Sequence, residues 1–217
     1  MLKVNEVFTS IEGEGIRAGL PTTFIRLQGC NLRCTYCDTM YAHGQDGGFE
    51  VSVGNLVGEV KSNGISRVTL TGGEPLLQVE ARALVQDLSD HGFEVNVETN
   101  GSQPIVPYIR MGDKVIVTMD FKSPYSGADL SMDVRNLHYL RAGHDVLKFV
   151  VASLYDLRRM RAVLEEYKPG CHVFVSPVFG RIDPKDIVQY VLANNLRNVR
   201  VQLQLHKCIW DPQQRGV

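Results

Sequence analysis

The sequence predicts an α/β protein, a partial (β/α)6-type barrel forming one domain across residues 1–217. Three observations carry that expectation. Short runs of β-branched and apolar residues alternate with amphipathic stretches, the pattern of parallel strands joined by helical crossovers. The residues with chemical character fall directly after those runs, where such barrels keep their working loops. The chain has 217 residues, fewer than the ~250 typical of a full eight-unit barrel.

In order, the candidate strands are residues 22–27, 67–70, 93–98, 114–119, 146–151, 172–176 and 199–205. Several are near-continuous apolar runs, as expected of strands covered on both faces or closed into a barrel. Between the second and third strands, residues 75–90 place Leu76, Leu77, Ala81, Leu84, Val85 and Leu88 at helical spacing and stop before Gly92. Residues 154–167 repeat the pattern with Leu157, Met160 and Leu164, then end at Pro169-Gly170. Asp183 reads as an N-cap with Pro184 in the first turn, opening a helix over 185–194. No linker, repeat or low-complexity tract divides the chain.

Composition narrows the classes of function. Hydrophobic residues make up 44% and charged residues 22%, with 23 Lys and Arg against 24 Asp and Glu. A net charge of −1 lacks the basic excess of a nucleic-acid binder. The longest apolar runs, such as Phe149-Val150-Val151-Ala152, are strand-sized rather than bilayer-sized. Polar residues interrupt the start too early for a signal peptide, so the cytoplasm is the expected location and no membrane is expected as partner. Five cysteines, three of them within eight residues, do not make a disulfide framework.

Those three stand in Cys30-Asn31-Leu32-Arg33-Cys34-Thr35-Tyr36-Cys37, a C-x3-C-x2-C run just after the first strand. Three thiolates so close can ligate three irons of one [4Fe–4S] cluster, leaving the fourth iron without a nearby cysteine. Zinc is open as well, with Asp38, His43 or a distant cysteine as fourth ligand. So is a set of buried thiols with no metal. Gly72-Gly73-Glu74-Pro75 follows the second strand. Its glycines allow close backbone approach to a ligand and Glu74 offers a carboxylate to an ammonium, although a proline at a helix start also suits a plain turn.

Taken together and in order, these two runs resemble the radical S-adenosylmethionine (SAM) superfamily. Glu12-Gly13-Glu14-Gly15, Gly19-Leu20-Pro21, Phe24-Ile25-Arg26-Leu27-Gln28-Gly29-Cys30, Cys37-Asp38-Thr39 and the tail His206-Lys207-Cys208-Ile209-Trp210 are similar to the 7-carboxy-7-deazaguanine synthase family. The resemblance covers nearly the whole chain and is most specific in its amino-terminal part. It implies a radical SAM lyase of the carbon–nitrogen class. Such an enzyme converts 6-carboxy-5,6,7,8-tetrahydropterin to 7-carboxy-7-deazaguanine with loss of ammonia, on the route to queuosine and other deazapurines. It further implies a [4Fe–4S] cluster, SAM and Mg²⁺, an electron donor such as flavodoxin or ferredoxin, and a homodimer.

By that resemblance Cys30, Cys34 and Cys37 hold the cluster. Tyr36, Cys37 and Asp38 adjoin SAM, Gly73 and Glu74 meet its methionine end, and Asp120, Lys122 and Ser123 line its ribose side, with Ser176 reaching the same nucleoside. Arg26 suits the planar carboxylate of the pterin, and Glu14 its donor-rich pyrimidine edge. Backbone groups of Ile11, Glu12 and Gly13 approach the ring, and Thr71 and His206 are further substrate contacts. The Thr39 hydroxyl ligates Mg²⁺, which otherwise keeps water and substrate oxygens. Plainer readings stand beside these: Tyr36 as a packing aromatic, Arg26 paired with an acid, residues 120–123 as a solvated loop, Thr71 as a strand end. Lys207 and Trp210 close the pocket or pack the terminus, and the Gly-rich residues 44–48 form a cover or a plain loop.

Glu12 departs from the family, where glutamine is the more usual residue. Cys171 and Cys208 read as small buried residues. The chain runs past Trp210 to Val217, so contacts that some relatives make with a terminal carboxylate do not carry over. Two other functions remain: an activase that makes a glycyl radical on a partner protein, and a non-catalytic zinc-binding module. Neither explains residues 12–15, Arg26 and Thr39 together.

Overall fold

The computed structural model describes residues 1–44 and 46–217. Its strands are β1 (Leu2–Ile11), β2 (Pro21–Leu27), β3 (Phe49–Val51), β4 (Arg67–Gly72), β5 (Glu94–Thr99), β6 (Val115–Phe121), β7 (Val146–Val151), β8 (His172–Pro177) and β9 (Val199–Val201). Its helices are α1 (Val53–Ser62), α2 (Glu80–Asp90), α3 (Val106–Ile109), α4 (Leu154–Tyr167), α5 (Pro184–Ala193) and α6 (Leu205–Ile209). The strands form one nine-stranded sheet in the order β3-β1-β2-β4-β5-β6-β7-β8-β9. From β2 to β9 every neighbouring pair is parallel, while β1 lies antiparallel to β2 and β3 antiparallel to β1. Strands β3 and β9 are the two edges, so the barrel is partial and carries a seam.

Strand periodicity sorts the side chains. Val68 and Leu70, Val95 and Val97, Val117 and Met119, and Leu147 and Phe149 join one apolar core. Leu56, Leu84, Leu157 and Ile187 of the surrounding helices complete it. The alternate positions Thr71, Glu98, Thr118, Asp120 and Lys148 face a shared cavity instead. The strands are therefore apolar toward the helices and polar toward the barrel interior, rather than apolar on both faces.

Several boundaries agree with the sequence reading. Residues 146–151 and 154–167 are strand and helix as expected, and Asp183 caps α5 by accepting from the Lys185 N–H at 2.8 Å. Others differ. The amino-terminal ten-residue strand β1 was not expected, although Leu2 and Val4 are buried and Lys3 and Asn5 are not. That alternation belongs to an antiparallel strand with unlike faces. Helix α1 was also not expected; Ser52 caps it from the Asn55 N–H at 3.2 Å and Leu56, Val57 and Val60 bury its inner face. The expected helix over 75–90 is split into a 3-10 turn, Pro75–Leu77, and α2, since Gln78 returns to extended backbone. The last strand is three residues long, and Leu205 opens α6 instead of ending it. Among the described residues no helix is long and apolar enough to cross a membrane.

Candidate active site

One cavity of about 820 Å³ runs down the barrel interior. Its mouth is built by the segment after β2. The Gly29 N–H donates to the Ala42 carbonyl at 2.7 Å and the Cys30 N–H to that of His43 at 3.2 Å, which folds residues 30–41 into a loop over the strand ends. Cys30, Cys34 and Cys37 are all unpaired, partly buried and part of the cavity wall. Burial raises the Cys34 and Cys37 thiols above their ordinary range. Cys37 Sγ lies 3.1 Å from His43 Nε2. Among the described residues no three His, Cys, Asp or Glu side chains converge as ligands of a single ion; a cuboidal cluster gives each cysteine its own iron and does not need that convergence.

Beside the cysteines, Tyr36 stacks on Tyr125 with ring centroids 6.4 Å apart. Lys122 Nζ is 5.9 Å over the Tyr36 ring and 2.6 Å from Asp120 Oδ2. Burial alone would lower the Lys122 pKa, but the Asp120 carboxylate outweighs it and keeps the ammonium charged. Tyr36 OH, Asp120 Oδ1 and Ser123 Oγ are buried without a hydrogen-bond partner among the described residues. Tyr36 and Asp120 line the cavity, whereas Ser123 is buried behind it and departs from its expected place beside the ribose. Buried polar atoms are normally satisfied, so the two orphans on the cavity wall mark a place where a polar ligand is needed.

The double glycine serves the chain itself. A Cβ on Gly72 would stand 2.5 Å from the Leu27 carbonyl oxygen, and one on Gly73 2.6 Å from Cys30 Cβ, against the Gly29 carbonyl as well. Gly72 lets β4 lie close against β2, and Gly73 lets the chain pass under the cysteine loop. Glu74 differs from its expected place: it is fully buried and absent from the cavity wall. Its Oε1 accepts from the Leu76 N–H at 3.0 Å and Thr99 Oγ1 at 2.9 Å, and its Oε2 from the Asn100 N–H at 2.6 Å. The carboxylate is spent on tying the loop after β4 to the end of β5. Burial pushes its pKa up to about 7.

The floor comes from the opposite end of the barrel. Because β1 is antiparallel, the loop after it meets the amino-terminal ends of β4 and β5, where Arg17 donates to the Val68 and Glu94 carbonyls at 3.2 and 3.3 Å. Ile11, Glu12, Gly13 and Glu14 line the cavity from there. The Glu12 carboxylate accepts from Thr69 Oγ1 at 2.6 Å and faces Arg17 Nη2 at 3.5 Å; burial, then nearby Glu98, raises its pKa to about 7. Glu14 is held by four donors: Lys148 Nζ at 3.0 Å, Ser176 Oγ at 2.6 Å, Gln202 Nε2 at 3.2 Å and Gln204 Nε2 at 3.3 Å. Burial opposes its charge, yet Lys148 and these hydrogen bonds prevail and its pKa is lowered. Ser176 thus stands with Glu14 and not on the cavity wall, so the structure departs from its expected place beside the nucleoside. The web also spans the seam, for the Leu205 N–H donates to the Gly13 carbonyl at 3.1 Å and the Gly15 N–H to Gln202 at 2.8 Å. His206 lies so close over Gly13 that any Cβ there would collide with its Nδ1.

On the remaining wall, Arg26 Nε is 2.7 Å from Glu6 Oε1, which also accepts from Tyr41 OH at 2.9 Å. The plainer reading of Arg26 as an acid's partner is therefore realised, although its side chain also lines the cavity. Thr71 Oγ1 donates to Glu98 at 2.9 Å. Thr39 Oγ1 donates to Asp38 Oδ1 at 3.0 Å and Lys207 Nζ reaches Asp38 Oδ2 at 2.8 Å. About half of the Asp38 side chain is exposed; its partial enclosure opposes the charge, and Lys207 outweighs that and holds the carboxyl down at about 2. The tail closes this side, with Lys207, Gln213, Arg215 and Val217 in the wall and Trp210 outside it. Of residues 44–48, residue 45 lies outside the described residues; Gly47 and Gly48 pack on Gln28 and the Val4 carbonyl, away from the cavity. Cys171 is buried as expected, whereas Cys208 is exposed, because α6 is short and has no buried residue.

Sequence reasoning missed Lys148, Glu98, Arg17, Gln202, Gln204 and Arg215. A signal existed for Lys148, a lone charge in an apolar strand of the same kind that singles out Arg26.

Comparison with known proteins closes the question of family. Residues 24–127 match the Radical SAM superfamily. A 7-carboxy-7-deazaguanine synthase of Clostridium acetobutylicum is 41% identical over 219 residues, covering 99% of each chain. The chain belongs to the 7-carboxy-7-deazaguanine synthase family. The synthase of Methanospirillum hungatei is 39% identical over 97% of this chain and 86% of its own. The fold agrees with the crystal structure of QueE from Escherichia coli, at a TM-score of 0.78 and 24% identity over 94% of both chains. SuiB of Streptococcus suis, solved bound to S-adenosylmethionine, shares the fold at a TM-score of 0.61 and 12% identity over 84% of this chain and 50% of its own. Membership of the radical SAM superfamily implies a [4Fe–4S] cluster and SAM. The three-thiol donor set and the orphaned polar atoms of Tyr36 and Asp120 on the cavity wall fit that pair.

Proposed function

We propose that this chain converts 6-carboxy-5,6,7,8-tetrahydropterin to 7-carboxy-7-deazaguanine with loss of ammonia. One observation carries the reading beyond family membership: the cavity that opens on Cys30, Cys34 and Cys37 also has Arg26, Thr71 and residues 11–14 in its walls. Bound cluster and SAM supply the one-electron chemistry that no side chain offers.

The chain's own residues do the rest. Cys30, Cys34 and Cys37 ligate the cluster, and Tyr36, Asp38, Gly73, Asp120 and Lys122 surround SAM. Glu74, Ser123 and Ser176 act behind that wall, Glu74 by holding the β4 loop and Ser176 by holding Glu14. Arg26 keeps both Nη atoms free of hydrogen bonds among the described residues while Glu6 fixes its Nε, a fork aimed for the substrate carboxylate. Ionised Glu14 accepts from the pyrimidine edge once its two longest bonds, from Gln202 and Gln204, give way. Backbone groups of Ile11, Glu12 and Gly13, with Thr71 and His206, enclose the ring and exclude water. Thr39 donates its hydrogen to Asp38, which leaves the Oγ1 lone pairs for Mg²⁺. A homodimer, a flavodoxin or ferredoxin as reductant and a cytoplasmic location follow from the same family likeness.

The test is an anaerobic assay of cluster-reconstituted protein with dithionite, SAM, Mg²⁺ and 6-carboxytetrahydropterin, read by mass spectrometry. Formation of 7-carboxy-7-deazaguanine, abolished by Cys34→Ala, is the expected result. Production of 5′-deoxyadenosine without that product overturns the substrate and keeps the radical SAM chemistry.

A further inference from the structure

We propose that Arg215, in the tail, determines specificity for a carboxylated substrate by supplying the unpaired positive charge on the Arg26 wall. The inference rests on the pterin reading above and adds a residue to it.

Four cations of the cavity wall already have carboxylate partners. Arg26 is 2.7 Å from Glu6, Lys122 2.6 Å from Asp120, Lys148 3.0 Å from Glu14 and Lys207 2.8 Å from Asp38. To an anion arriving from solvent each such pair is close to neutral, so Arg26 alone offers hydrogen-bond geometry with little net attraction. Arg215 is different. Its Nη2 donates to the amide oxygen of Asn5 at 3.4 Å, and it forms no ion pair among the described residues. Arg181 is a further cavity guanidinium with no ion pair among the described residues, but it stands 5.9 Å over Tyr125, on the Tyr36 side.

Arg215 is also held at the right wall. Its Cζ lies 3.6 Å from the Tyr41 ring centroid, and Arg26 Cζ lies 5.9 Å from the same centroid. One aromatic ring therefore carries both guanidiniums, and both line the cavity. Stacking on a tyrosine face restricts a flexible tail side chain and favours the planar arginine head over lysine. Asn5, which accepts from Arg215, is itself fixed by donating to Gln28 at 2.5 Å. The wall thus combines a geometrically fixed fork, Arg26, with a net charge, Arg215. A pterin bearing a carboxylate uses both; a pterin without one uses neither. Because Arg215 is exposed, its attraction is screened by salt.

The test uses the holoprotein, loaded with cluster and SAM, and two fluorescent oxidised ligands that do not turn over: 6-carboxypterin and unsubstituted pterin. For Arg215→Gln the Kd of 6-carboxypterin is expected to rise roughly tenfold at low salt, with that of pterin unchanged, and Arg215→Lys is expected to recover part of the loss. In 1 M salt the gap between wild type and Arg215→Gln closes to about twofold or less. Equal weakening of both ligands would make Arg215 a packing residue and overturn the proposal. Unchanged binding of 6-carboxypterin, in an enzyme that makes the expected product, overturns it alone. A wild-type holoprotein that binds no 6-carboxypterin sinks the substrate reading and this proposal together.

Discussion

Replacing Glu74 by alanine separates a structural carboxylate from a SAM-binding one. In the native chain its oxygens accept from the Leu76 and Asn100 N–H groups and from Thr99 Oγ1, with no exposure to solvent. In Glu74→Ala the threonine hydroxyl can turn elsewhere, which leaves two buried backbone donors without acceptors. At about 1–3 kcal/mol for each, the loss is ~2–6 kcal/mol, a large part of the ~5–15 kcal/mol that holds such a domain folded. For a chain of this size that corresponds to a fall of about 10 °C in Tm. Glu74→Gln keeps the shape but turns an NH2 toward one of those N–H groups, so it is expected to destabilise nearly as much. Urea unfolding of the apoprotein measures the effect directly, with no cluster or SAM present. If Glu74→Ala unfolds at the wild-type urea concentration and loses only SAM affinity, the carboxylate does not belong to the loop and the reasoning fails.

Three further expectations follow from other parts of the cavity. Glu12, raised to about 7 from the usual 4.5, holds a proton in the folded chain at pH values where the unfolded chain has released it. Its contribution to stability therefore falls as pH rises from 4.5 to 7, by up to ~3 kcal/mol, and Glu12→Gln should flatten the slope in urea titrations across that window. Lys148→Met leaves the Glu14 carboxylate buried without its cation and is expected to cost about 3–5 kcal/mol; adding Glu14→Gln should recover part of it, and additive losses in a double-mutant cycle would refute the pairing. Gly73→Ala drives a Cβ into Cys30 and the Gly29 carbonyl, so reconstituted protein should bind several-fold less iron and sulfide while its far-ultraviolet circular dichroism stays native.

Much of the fold was legible because β/α units announce themselves locally. A strand of six residues and a helix of fourteen, β7 and α4, each carry their periodicity within their own span. Strand β1 is hard to read locally because Lys3, Asn5, Glu6, Thr9 and Ser10 interrupt its apolar residues, and only its antiparallel neighbours give those polar residues an outer face. Helix α1 begins at Val53-Gly54, a weak helix start, and it is held by burying Leu56, Val57 and Val60 in the core beside α2.

The candidate site divides along the same line. Short spacing alone displays three features: three cysteines within eight residues, a glycine where the chain after β4 must pass the cysteine loop, and an arginine in β2. Tertiary structure decided what those groups face. Glu74 looked free for a ligand and is consumed by Asn100, 26 positions away. Ser176 looked like a nucleoside contact and belongs to Glu14, 162 positions earlier. Arg215 meets Asn5 across 210 positions. Ligand spacing is set by bond lengths within a few residues, and any chain that carries the motif displays it. The partner of a buried charge is chosen by which strands become neighbours, and no local pattern records that choice.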